Sequence, residues 1–221
     1  MNQKTLDLIH EKYQVDSADA NEFYSFVDGL RACYRFRENT FASTNITTYI
    51  TITVMYIIIW LNETYNLHLD INLYSRRKSL ESELAKILRK SSETSSVNIR
   101  DRFGIRGVLL NSCNESEADK HIHFIFDALS GIVAAKNRKM KKEFIDWVDS
   151  SNEINELDKQ IIKYVLEIPF RIEFIKDFIK NPKSNDYKSL QFTLTIQMYS
   201  NVLPGFQIEI QLKSLEMHKQ A

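Results

Sequence analysis

Two alternating runs near the C-terminus constrain the fold of this chain more than any other feature. From Ser189 to Met198 the apolar positions are Leu190, Phe192, Leu194 and Ile196, and the second run places Phe206, Ile208, Ile210 and Leu212 at the same spacing. A period of two marks a strand with one apolar and one polar side. The Pro204-Gly205 pair between the runs is turn chemistry, so the two read as a hairpin.

Upstream, strand and helix patterns interleave. Leu67, Leu69, Ile71 and Leu73 alternate as in a half-buried strand, and Phe103 to Leu110 reads as a buried strand from which Arg106 projects. Thr44 to Tyr65 is rich in β-branched residues, yet it is too long for one strand and has no turn residue inside, which favours a helix. Ser79 to Lys90 gathers Leu80, Leu84, Ile87 and Leu88 on one helical face, and Glu115 to Ala135 gathers Ile122, Ile125, Phe126, Leu129 and Val133. Ile161 to Leu166 and Phe170 to Ile179 also read as helical, and residues 1–40 as two short polar helices with Tyr24, Phe26, Leu30 and Tyr34 at helical spacing. Ser91 to Ser96 is a polar linker, and Lys136 to Asp158 a charged segment. The expected fold class is α+β (mixed α/β), with a mixed sheet flanked by helices. A single domain over residues 1–221 is expected, helical in 1–65 and with its core in 66–221.

Composition excludes more than it assigns. The 221 residues carry 29 Lys and Arg against 29 Asp and Glu, so no global field draws the chain to nucleic acid or membrane. Anion binding must come from local clusters. Five Gly and three Pro leave little flexible linker. Cys33 and Cys113 make neither a disulfide framework nor a metal-ligand spacing, which suits a reducing, cytoplasmic setting. The N-terminus lacks the apolar core of a signal peptide. Tyr49 to Leu61, the most apolar stretch, is 13 residues long and contains Thr51 and Thr53, too short to span a bilayer. It reads as a buried helix, and no membrane partner is expected.

Three clusters bear chemistry. Between Arg76 and Arg106 stand nine Lys/Arg against four Asp/Glu. Lys78, Ser82 and Lys86 are four apart on one helix face, Arg89 continues it, and Arg76 sits where strand passes into helix. Fixed cations at a helix start suit a polyphosphate; a solvated basic face balanced by Glu81 and Glu83 fits the same pattern. Secondly, Asp101 stands just ahead of a buried strand and Glu209 lies between Ile208 and Ile210, on the side of the strand that also carries Gln211. Two acids on neighbouring strands can share a divalent cation such as magnesium, as phosphoryl transfer requires. Each alone also suits an exposed strand Glu and a capping Asp. Thirdly, the turn-rich loop Asn181 to Ser189 carries Lys183, which can reach a phosphate, and Tyr187, which can stack on a base or cap the sheet edge.

In order and character these pieces resemble the RelA/SpoT-type alarmone synthetase domain, over about residues 65–221. Arg76, Lys78, Ser82, Lys86 and Arg89 match its ATP-binding segment, Asp101-x-x-Gly104-Ile105-Arg106 its metal motif, and Asn181-Pro182-Lys183 through Tyr187-x-Ser189 its guanine-nucleotide loop. Glu209-Ile210-Gln211 and Met217-His218 match its last strand and the residues after it. The resemblance implies a nucleotidyltransferase-like fold and magnesium-dependent transfer of pyrophosphate from ATP to the 3′-hydroxyl of GDP or GTP. It implies Asp101 and Glu209 as metal ligands and catalytic acids, with Glu209 as ligand or base. Lys183, Tyr187 and Gln211 would hold the acceptor, in a chain that can form a homo-oligomer.

Some positions depart from the family pattern. Asp186 stands for Gly, Gln191 for His, and Leu212-Lys213-Ser214 for Ile-Arg-Thr, all on the acceptor side. The stretch between Asp101 and Lys183 is longer than in compact members, through the charged region of Lys136 to Asp158. No His-Asp dipeptide of a hydrolase half occurs, and His121-x-His123 reads as a pair of exposed helix residues. Family members continue past the Met-His pair, which suggests a domain or a shortened form. Two other readings stay open. One transfers to an adenosine nucleotide or a tRNA 3′ end, with Lys136, Arg138, Lys139, Lys141 and Lys142 contacting RNA phosphates. The other is a catalytically silent nucleotide-binding domain.

Overall fold

Both alternating runs form strands. In the computed structural model, which describes residues 40–78, 103–111, 114–184, 187–196 and 207–219, they are β4 (Leu190–Ile196) and β5 (Gln207–Ser214), paired antiparallel as expected of a hairpin. The expected helices within residues 1–40 and at Ser79 to Lys90, the linker Ser91 to Ser96 and the Pro204-Gly205 turn lie outside the described residues. The chain divides into two units, residues 44–76 with 103–221 and residues 1–43 with 77–102. The second lies almost wholly outside the described residues.

The remaining described elements are α1 (Thr40–Tyr65), β1 (Ile71–Arg77), β2 (Phe103–Leu109), α2 (Glu115–Ile132), α3 (Arg138–Ser150), α4 (Glu156–Glu167), β3 (Phe170–Asp177) and α5 (Leu215–Lys219). The five strands form one sheet in the order β1-β2-β5-β4-β3. β2 and β5 run parallel, while β4 is antiparallel to both β5 and β3, so the sheet is mixed. The expected α+β class, a mixed sheet with flanking helices, is what the chain adopts.

Register separates the two faces. Phe103 and Ile105 align with Ile208 and Ile210, and these in turn with Leu194 and Phe192. All six are buried at 2% exposure or less, the core layer on which α2 packs, with Phe126 edge-on to Phe192 at 5.0 Å between centroids. Three asparagines start α2, α3 and α4: Asn114, Asn137 and Asn155 each accept a hydrogen bond from the amide three residues on. In α3 the charged segment of the sequence is an amphipathic helix, burying Phe144 and Val148.

α1 begins earlier than expected and runs 26 residues, about 39 Å at helical rise. By length and composition alone its span from Asn45 to Tyr65 is sufficient to cross a membrane, unlike the 13-residue stretch read from the sequence. One side is nonetheless core: Ile50, Val54, Ile57 and Leu61 are fully buried, and Trp60 packs edge-on against Phe144 at 5.7 Å. The Tyr56 hydroxyl donates to Asp158 at 2.7 Å. Asn66, with φ of 51°, ends the helix, and Leu67 and Leu69 precede the strand rather than belonging to it. Asn62 pins Leu69 there through both its amide and its carbonyl, at 2.8 and 2.9 Å.

Phe170 to Ile179 is not helical. It forms β3, paired with β4 up to Asp177. The register shifts between Glu173 and Lys176, where three steps along β3 answer two steps along β4. The extra residue is a β-bulge, and Phe174 within it has φ of 53°. The bulge breaks the period of two, and in the sequence Phe170, Phe174, Ile175, Phe178 and Ile179 then stand at spacings that imitate a helix face. It also reverses the phase, so that Asp177 pairs with Leu190 and lies on the same side of the sheet as α2.

Candidate functional site

Opposite the core layer the sheet is polar. Glu209 aligns with Gly104 on one side and Thr193 on the other, and Gln211 aligns with Arg106 and Gln191. Alternation in β5 adds Lys213 to this face, beside Glu209 and Gln211. At β1, the Arg76 side chain lies over Gly104: a methyl group there would sit 3.4 Å from Arg76 Nε and from the Glu209 carbonyl. Gly104 thus lets the guanidinium cross β2 and approach Glu209, at 3.8 Å. The two side chains are 51% and 24% exposed, so the pair faces solvent and its attraction is modest.

A second link joins the sheet to the loop after β3. Arg106 Nε donates to Gln211 Oε1 at 3.1 Å, and Gln211 Nε2 donates to the Tyr187 hydroxyl. Gln191 Nε2 donates to the same hydroxyl at 3.0 Å and to Ser189 Oγ at 3.1 Å. The Tyr187 ring meets Phe178 edge-on at 6.1 Å. Lys183 Nζ sits 4.6 Å from the Tyr187 centroid and 4.5 Å from that of Phe178, a cation–π arrangement that holds the ammonium beside the ring.

Lys213 is the electrostatic anomaly. It is 2% exposed, and the charges that act on it among the described residues are those of two other cations, Arg106 and Arg76. Burial, with added repulsion from Arg106 and Arg76, brings its pKa from 10.5 down to about 8. Lys213 in turn, with lesser contributions from burial and Arg106, lowers that of His218 in α5. Three cations converge here beside a single carboxylate among the described residues, Glu209, and the positive excess makes a ready place for phosphate oxygens.

The structure therefore brings together Arg76, Glu209, Gln211, Lys183 and Tyr187, drawn from three separate stretches of sequence. Asp101, Ser82, Lys86 and Arg89 lie outside the described residues, and Lys78 directly follows β1. Among the described residues no group of three or more metal-ligating side chains occurs. Among the described residues the Glu209 carboxylate pairs only loosely, with Arg76 at 3.8 Å, and a carboxylate so placed suits a hard cation that takes one or two carboxylates and completes its shell with phosphate oxygens. The basic cluster around Lys136 is partly spent on the fold: Lys141 Nζ donates to the Leu166 carbonyl at 2.6 Å, closing the end of α4, and Lys139 pairs with Glu143 at 3.8 Å. Lys213, Gln191 and Phe178 were not assigned roles from the sequence. The first two are visible there as departures from the family pattern at polar positions of the alternation, while Phe178 was masked by the helical reading of β3.

The chain has structural likeness to solved alarmone synthetases. Small alarmone synthetase 1 from Bacillus subtilis, bound to its product pppGpp, shares 16% identity over 84% of this chain and 76% of its own, with a TM-score of 0.47. Small alarmone synthetase 2 from the same organism shares 18% over 82% and 75%, at 0.45. A GTP pyrophosphokinase family protein from Streptococcus pneumoniae shares 16% over 84% and 72%, at 0.48. Among curated proteins, none matches the chain in sequence at a significant level. The model of the region found in RelA/SpoT proteins matches residues 75–221, which include β1 from Ser75 and every later element. With two thirds of its length matched, the chain belongs to the RelA/SpoT family.

Proposed function

We propose that this chain transfers the β,γ-pyrophosphate of ATP to the 3′-hydroxyl of a guanine nucleotide, GDP or GTP, releasing AMP. The observation that supports this most is the joining of separated motif segments by direct contacts. Arg76 meets Glu209, and Gln211, two residues on, meets Tyr187.

The roles follow from position. Arg76, with Lys78, Ser82, Lys86 and Arg89, would hold the ATP phosphates. Arg106 and Lys213 would take the oxygens of phosphate groups lying over β5. Tyr187 would stack on the acceptor base, its hydroxyl fixed by Gln211 and Gln191, and Lys183 would reach an acceptor phosphate. Glu209 would take the proton of the 3′-hydroxyl as that oxygen bonds to the β-phosphorus and the bond to the α-phosphate oxygen breaks. Asp101 and Glu209 would hold magnesium, which when bound neutralises charge on the transferring group.

The test incubates the full chain with magnesium, labelled ATP and, in separate reactions, GDP, GTP, ADP, ATP and uncharged tRNA. Label moving to GDP or GTP with stoichiometric AMP is the expected result. Transfer to tRNA or to an adenosine nucleotide alone would replace the acceptor. No AMP with any acceptor would leave a nucleotide-binding domain.

A further inference from the structure

His123 and Asp177 form a buried-side ion pair that no role above uses. His123 Nε2 lies 2.9 Å from Asp177 Oδ2, and its Nδ1 lies 2.7 Å from the Asp119 carbonyl oxygen. Both partners are acceptors, a carboxylate and a carbonyl, so both ring nitrogens are satisfied only when each carries a proton. The contacts thus select the imidazolium, in side chains 26% and 21% exposed.

Asp177 is there because of the bulge in β3, which turns it toward α2. Its other oxygen accepts from the amides of Ile179 and Lys180 at 3.2 and 3.1 Å, and its carbonyl from Asn181 at 3.1 Å. It therefore shapes the turn that leads into the loop of Lys183 and Tyr187. Phe178, inside that turn, bonds through its amide to Ser189 at 2.9 Å and touches both side chains with its ring. A contiguous path runs from the imidazolium through a capped turn to the residues assigned to the acceptor.

We infer that His123 is a positioning residue: its protonated ring clamps Asp177 and thereby sets the geometry of the acceptor loop, so that acceptor binding weakens when the ring loses its proton. The acceptor half of this inference rests on the function proposed above; the clamp itself does not. Burial alone would lower the His123 pKa, but the hydrogen bond to Asp177, that to the Asp119 carbonyl and the charge of Asp177 outweigh it, and the value rises above 6.5. For Asp177 burial alone would raise the pKa, and the bonds from His123 and the Lys180 amide bring it below 3.8. The clamp is complete between these two limits and is lost as pH rises through the raised histidine value. Other charges face it from each neighbouring element: Asp119 and Glu115 on α2, Lys180 on the turn, and Lys188, which pairs with Glu115. Lys180, 3.5 Å from Asp177 Oδ2, keeps part of the carboxylate's pairing when the ring is neutral.

The test has two arms. In the free full-length protein, NMR follows the His123 ring signals and the amides of Phe178, Lys180 and Lys183 across pH. A ring titration above that of ordinary histidine, tracked by the three amides and lowered by Asp177→Asn, is expected. Amides that ignore the ring titration would overturn the clamp whether or not the chain transfers pyrophosphate. In kinetics with the acceptor found active, His123→Gln should raise the acceptor KM about tenfold at pH 6, the scale of one charge-assisted hydrogen bond. The KM for ATP and kcat at saturation should stay near wild type. The variant retains every other titrating group, Lys213 included, so the wild-type to variant ratio isolates His123, and that ratio should shrink toward one as pH rises. A ratio independent of pH, or a fall in kcat with KM unchanged, would refute the positioning role.

Discussion

Replacing Lys213 by Met should make the protein more stable and worse at holding phosphate. Met keeps an unbranched side chain that fits a buried position and removes the charge. The Lys213 pKa falls from 10.5 in the unfolded chain to about 8 in the fold. At about 1.4 kcal/mol for each unit, keeping the ammonium charged in the folded state below pH 8 costs on the order of 3 kcal/mol. Between pH 8 and 10.5 the unfolded chain holds a proton that the folded chain has released, so this lysine makes wild-type stability climb with pH. Other groups titrate in the same range, and the difference between variant and wild type cancels them. Urea unfolding at pH 7 should show the Met variant more stable by about 2–3 kcal/mol, a gap that closes as pH approaches 10.5. Calorimetry should show affinity for inorganic pyrophosphate falling about tenfold, the scale of one charge-assisted contact. A variant less stable than wild type at pH 7, or a gap that does not change with pH, would refute the account of Lys213 as a strained cation awaiting an anion.

Three further outcomes are expected. Glu209→Gln and Asp101→Ala should each lower transfer by about a hundredfold or more with the thermal midpoint nearly unchanged, since neither is apolar core; near-native turnover in either would exclude the assignment. Arg76→Ala should weaken binding of a non-hydrolysable ATP analogue in calorimetry, and unchanged affinity would remove Arg76 from the donor site. Tyr187→Phe keeps the ring but leaves Gln211 and Gln191 without a shared acceptor, so its acceptor KM should rise by a few fold, whereas Tyr187→Ala should raise it about tenfold or more through lost stacking. Equal effects of the two would argue against a stacking role.

Legibility in the sequence followed the regularity of the local pattern. In β4 and β5 one face is apolar at every second position, and the period alone reveals both strands and their pairing. α2 is as clear, with a spaced stripe and an Asn cap. β3 was unreadable because one added residue converts a strand's spacing into a helix's. The amphipathic α3 was hidden by its charge, since only Phe144 and Val148 are buried among thirteen residues. For the site, motif order brought Arg76, Glu209, Gln211, Lys183 and Tyr187 into view. Their contacts are long-range, as in Arg76 with Glu209, and no local pattern encodes a partner 133 positions away. His123 read as an exposed helix residue, because its partner is delivered by the bulge.

The sheet order has a consequence for how the protein is made. β5 is central, yet it is the last of the five strands to leave the ribosome. Until it inserts, β1 with β2 and β3 with β4 are separate halves, and each presents an unpaired edge to other chains. The parallel pairing of β2 with β5 closes a loop of about a hundred residues, a slow step for a folding chain. Arg76, Glu209 and the Tyr187 loop meet only on that insertion, so the site stays unassembled until all four other strands have been made. Aggregation during expression should therefore track the lifetime of the two exposed edges, and a chaperone that shields strand edges should raise the yield of folded protein more than a stabilising core substitution does.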